Sequence, residues 1–93
     1  MPEERIKRHI EEVRPVITGL LRHLSEEEQR AHGGILVSIA ARARFEGDIS
    51  QETTQNPEEM RKRLIKHLAG LSGHSGIPNY KLIRALEQQN ERT

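Results

Sequence analysis

The chain has 93 residues, 33% of them apolar, a formal net charge of +1 and no cysteine. That length bounds it to one domain, the missing cysteine excludes a disulfide framework and thiolate metal sites, and no apolar run nears the ~18 residues of a membrane span. Phe45 and Tyr80 are the only aromatics, so a lone copy has little large apolar surface to bury, and helices from a second copy or another protein are the natural remedy. Charged residues stand where a signal peptide would be apolar, which predicts a cytoplasmic protein.

The first segment predicts a helix over about 3–24. Ile6, Ile10, Val13, Ile17, Leu20 and Leu24 recur at alternating spacings of four and three, an a/d seam over nearly three heptads. Such a seam packs inside the monomer or serves as a partner interface, and the six residues are the candidate surface for a homodimer or a protein partner. Pro15 lies within it. Proline removes one i→i−4 bond and crowds the preceding turn, which predicts a kink or short break near Glu12–Arg14.

The second helix is predicted over 25–45. Ser25 with Glu28 three residues on has the form of a capping box. Glu26, Glu27 and Glu28 suit the positive end of the helix dipole, so capping explains three adjacent carboxylates better than a metal site does. Ile35, Leu36, Ile39 and Ala43 form an apolar face. Gly34, Val37 and Ala41 form a second, small-residue face that would let another helix approach closely, the mark of a central helix. Residues 46–56 (EGDISQETTQN) are polar, lack periodicity and predict a mobile loop.

The third helix, predicted over 57–71, starts on Asn56 as N-cap with Pro57 at the first helical position and Glu59 at the third. Met60, Leu64, Leu68 and Leu71 share its inner face. Gly70 and Gly73 mark its end. The fourth helix is predicted over 78–90, with Leu82, Ile83 and Leu86 facing inward and Lys81, Arg84 and Gln88 on one outward stripe. The fold class expected is all-α: one helical domain over 1–93, a small bundle of about four helices.

Charge is unevenly spread. Residues 1–56 carry 8 basic and 10 acidic side chains, and residues 57–93 carry 7 and 4. No carboxylate falls between Met60 and Leu86, where six Lys and Arg and two histidines stand. A local excess of cations favours phosphate partners. The last two helices, joined by a glycine-rich turn, resemble a helix-turn-helix in outline, although that motif's turn is shorter, about 3–4 residues. The resemblance implies that Asn79, Lys81, Arg84 and Gln88 face bases or phosphates, that Lys62, Arg63 and Lys66 hold the backbone, and that the turn offers N–H groups to an anion.

Other chemistry finds no support. Ile77 stands where a nucleophile elbow needs glycine, and no Gly-Lys-Ser/Thr follows the glycines. No two of the five histidines have metal-ligand spacing on one helix. The expectation is a non-enzymatic protein without metal or cofactor, binding DNA or RNA through its basic C-terminal half. The alternative is a protein–protein interaction module, namely an adaptor, an inhibitor or a helical subunit of a larger assembly.

Overall fold

The alternating apolar spacing of the first segment becomes a single helix, α1 (Pro2–Leu20), in a computed structural model that describes residues 2–71 and 79–91. It is followed by α2 (Glu26–Glu46), the four-residue α3 (Gln51–Thr54), α4 (Pro57–Leu71) and α5 (Asn79–Glu91). The architecture is all-helical, with no strand among the described residues. No helix of the described residues is long and apolar enough to cross a membrane.

One apolar core joins these elements. Val13, Ile17 and Leu20 of α1 meet Leu36 and Ala40 of α2, Leu64 and Leu68 of α4, and Leu82 and Leu86 of α5, all within one buried cluster. The middle of the a/d seam is therefore spent inside the monomer. Helix α1 packs on α2, α3 and α4, and α4 packs on α1, α3 and α5, so these two share the central place expected of the second helix. Pro15 does not break it: α1 is continuous through this residue, which faces solvent. The carbonyl that loses its partner there is Glu11's, on an exposed residue.

The helix ends follow from local chemistry. The Ser25 hydroxyl accepts from the Glu28 amide at 3.2 Å while a Glu28 carboxylate oxygen accepts from the Ser25 amide at 3.3 Å, so the capping box closes in both directions. Gly47 ends α2 with φ of 87°, the left-handed region that favours glycine. Its N–H and that of Asp48 then satisfy the last carbonyls of the helix. The Asn56 side chain accepts from the Glu59 amide at 3.2 Å and starts α4.

The stretch 46–56, expected to be an irregular loop, contains α3 and contributes to the core. Ile49 is 1% exposed within the core. Ser50 caps α3 by accepting from the Thr53 amide at 3.2 Å, and Thr54 is buried behind it. Arg44 pins the segment from α2: its guanidinium donates to the Ile49 carbonyl at 3.2 Å and to the Glu12 carboxylate of α1 at 2.8 Å. His9 lies 3.2 Å from the same carboxylate oxygen. The Thr54 hydroxyl sits 3.4 Å from the other, but its single hydrogen serves the Gln51 carbonyl at 2.6 Å. Burial pushes the Glu12 pKa up. The hydrogen bonds and charges of Arg44 and His9 outweigh that and leave it below the ordinary carboxylate value.

A second tether joins the α1–α2 turn to α5. His23 Nε2 lies 2.9 Å from the Ala85 carbonyl. A carbonyl only accepts, so Nε2 carries the hydrogen, and the buried Nδ1 has no partner among the described residues.

Two outcomes test this reading of the 46–56 segment. Ile49→Ala is expected to cost about 2–5 kcal/mol in urea unfolding, whereas a residue of a free loop would change stability by less than about 0.5 kcal/mol. Glu12→Gln is expected to cost about 1–3 kcal/mol at neutral pH, because Arg44 keeps its half-buried place without its anion. Since folding lowers the Glu12 pKa, its contribution is full above the ordinary carboxylate range and is lost as pH falls through the folded value. The urea midpoint of Glu12→Gln should accordingly fall less than wild type's between neutral pH and about pH 3; equal losses in both chains would remove Glu12 from the role.

Candidate nucleic-acid interface

Helix α4 sorts its residues by face. Met60, Leu64 and Leu68 enter the core, and Lys62 and Lys66, one turn apart, point to solvent. The two arginines beside them do different work. Arg61 is 5% exposed and bonds Glu58, one turn earlier. That hydrogen bond, ahead of the attraction of Arg61 and Lys62, holds the Glu58 carboxyl below its ordinary pKa. Arg63 is half-buried and donates from Nε to the Asp48 carbonyl at 3.0 Å, closing the connection between α2 and α3. Of the three backbone-holding candidates on this helix, Lys62 and Lys66 are free to reach a ligand, and Arg63 is committed to the fold.

On α5, Lys81 and Arg84 are exposed while Leu82, Ala85 and Leu86 are buried. Gln88 is half-buried at the end of the same stripe. Asn79 departs from expectation. It is 6% exposed, and its Nδ2 donates to the Leu68 carbonyl of α4 at 3.2 Å. The amide satisfies a carbonyl in the last turn of α4 and turns inward to do so, so it cannot reach a base edge. The turn over 72–78, where backbone N–H groups were expected to hold an anion, and Pro78 lie outside the described residues.

Ion pairing by itself does not divide the two halves: Arg5, Lys7, Arg8, Arg14, Arg22 and Arg30 are exposed and form no ion pair among the described residues. Arg44 and Arg42 of α2 are paired with Glu12 at 2.8 Å and Glu46 at 3.4 Å. Lys62, Lys66, Lys81 and Arg84 form no ion pair with any carboxylate among the described residues. Tyr80, 66% exposed, adds a flat ring one turn before Arg84. Its register, four residues before Arg84, puts it on the cationic side of α5.

The seam residues form no single free surface. Val13, Ile17 and Leu20 are in the core, and Ile6, Ile10 and Leu24 are half-buried. Among the described residues no three His, Cys, Asp or Glu side chains gather where they would hold a metal ion. Set against known proteins, the chain matches no family model, no curated protein and no solved structure.

The assignment of Asn79 to the fold is checked by thermal unfolding. Asn79→Ala leaves the Leu68 carbonyl buried without its donor and is expected to cost about 1–2 kcal/mol, a fall in Tm of several degrees for a domain of this size. A base-reading asparagine on the surface would leave Tm unchanged.

Proposed function

We propose that this is a small non-enzymatic nucleic-acid-binding protein that grips the phosphate backbone with its last two helices. The observation that carries the reading is the set of four exposed cations, Lys62 and Lys66 on α4 and Lys81 and Arg84 on α5, in a stretch that holds no carboxylate between Met60 and Leu86. Unpaired surface cations release counterions when they meet phosphates, and this supplies sequence-independent affinity.

The α4–α5 pair is read as helix-turn-helix-like, with α5 as the second helix. Its use differs from the usual motif. With Asn79 turned into the fold, the first residue of α5 offers no amide for a bidentate contact to adenine. Lys81 and Arg84 supply charge, and Tyr80 supplies a ring on which an unpaired base can stack. This arrangement suits phosphate contact with one stacked base better than sequence reading in the major groove.

The test is fluorescence anisotropy with labelled single-stranded and duplex DNA and RNA at low and moderate salt. With four phosphates neutralised, affinity should fall by about 50- to 150-fold when salt rises fourfold. The double change Lys81→Glu with Arg84→Glu should abolish binding and leave the circular dichroism spectrum intact. Tyr80→Ala should weaken single strands by about 5- to 100-fold, the worth of one stacked base, and duplexes far less. Binding that survives the double charge reversal, or no binding even at low salt, would sink the proposal.

A further inference from the structure

Helix α2 has an outward face that the fold leaves unused. Leu36, Val37, Ala40, Ala41 and Ala43 are buried. Val37 and Ala41, expected on a second approachable face, thus belong to the core. The opposite stripe is Glu27, Ala31, Gly34, Ser38 and Arg42, all exposed, with Ile35 half-buried beside it. Phe45, at 40%, is one of two large apolar residues left exposed among the described residues and extends this stripe by one turn.

Three features of the stripe point outward. First, its glycine has no internal cause. A Cβ added at Gly34 would meet nothing within 4 Å, so alanine, a far better helix former, would fit. Second, the stripe is bordered by a groove on each side. One, of about 540 Å³, lies against α1 and is lined by Arg14, Thr18, Arg30 and Gly34. The other, of about 480 Å³, lies against α4 and is lined by Ser38, Arg42, His67 and Leu71.

Third, its charges are ordered, with Glu27 near the N-terminal end and Arg42 near the C-terminal end. Glu27 takes no part in the capping box, which uses Glu28. Arg42 holds only Glu46, at 3.4 Å, with its side chain 72% exposed.

That order is complementary to itself. A parallel neighbour would set Glu27 against Glu27 and Arg42 against Arg42. An antiparallel neighbour sets opposite charges face to face. We propose that this face is a homodimer interface, in which α2 crosses α2 of a second copy about a twofold axis between Gly34 and Ile35. In that register Ala31 stands opposite Ser38 of the second copy and Glu27 opposite its Arg42, and each pairing occurs twice by symmetry. The small residues at the centre let the two backbones come close. At each end Phe45 reaches the turn of the second copy that carries Leu24, itself half-buried. The interface uses none of the cations assigned to phosphate contact, so the two readings stand or fall separately.

The experiment is sedimentation equilibrium of the full chain at low ionic strength, with circular dichroism confirming that each variant is folded. Wild type is expected to dimerise. Glu27→Arg alone and Arg42→Glu alone each place like charges face to face twice and should weaken the dimer by more than about 10-fold. An equimolar mixture of these two variants should regain it, because each reversed residue then meets its opposite on the other chain. Gly34→Leu should abolish the dimer without any change of charge. A wild type that stays monomeric at high concentration, single variants that dimerise as well as wild type, or a mixture that stays monomeric would each overturn the proposal.

Discussion

The Glu12 carboxylate sits where three segments have to be held together with little apolar material. A chain that is 33% apolar with two aromatics cannot rely on burial alone to fix every connection. Val13 and Ile17 of α1 fill the core, while Glu12 beside them reaches the Arg44 guanidinium from the last turn of α2. Arg44 in turn reaches the Ile49 carbonyl, so one cation fixes both the crossing of α1 with α2 and the path of the chain after α2 ends. A partly buried pair of this kind is favourable only when its remaining hydrogen-bonding capacity is met. Here Ile49 takes the second donor of Arg44, and His9 shares the carboxylate oxygen. The placement of α3, and hence the start of α4, follows from that junction.

What could be read from the sequence was what local chemistry decides. The capping box at Ser25, the Asn56–Pro57 start of α4 and the middle of the alternating seam depend on neighbours within a few residues and stand where the pattern put them, whereas α1 stops at Leu20, short of Leu24. What could not be read depends on distant partners. A lone isoleucine among polar residues gives no periodicity, yet Ile49 is deep in the core, because Arg44 and Glu12 hold the backbone around it. Asn79 has the composition of a base reader, but Leu68, eleven residues away, supplies a carbonyl that needs its amide. Arg63 looked like its neighbours Lys62 and Lys66, and only the return of the chain past Asp48 removes it from the surface. On α2, apolar character marked Val37 and Ala41 as a separate face, and the choice between that side and the Ala31–Ser38 side was made by where α1 packs.

The ion pairs separate cations that the fold uses from cations that it does not. Glu12 and Glu58 are used by the half-buried Arg44 and the buried Arg61, while Arg42 holds Glu46 only at the surface. The lysines of α4 and the cations of α5 have no structural carboxylate to serve, and removing them would cost the core nothing. A residue that the fold does not need is available to a ligand, and this separates Lys62 and Lys66 from the arginines that flank them.

The seat of α5 has a different character from the Glu12 junction. Leu82 and Leu86 bury it, and two polar ties guide it: Asn79 to the Leu68 carbonyl and His23 to the Ala85 carbonyl. Each tie spends one polar atom of its side chain and leaves the other, Asn79 Oδ1 and His23 Nδ1, buried without a partner among the described residues. Beyond the roughly 1 kcal/mol that each bond contributes, these contacts give the helix direction. Asn79 fixes the first residue of α5 against the last turn of α4, and His23 fixes its middle against the α1–α2 turn. Two fixed points set both the position of the helix and its rotation about its own axis. Rotation decides which residues face outward, and with Asn79, Leu82 and Ala85 held inward, Tyr80, Lys81 and Arg84 have no face left but the solvent one. The pair of polar ties at the seat of α5 is in this sense the origin of its cationic surface.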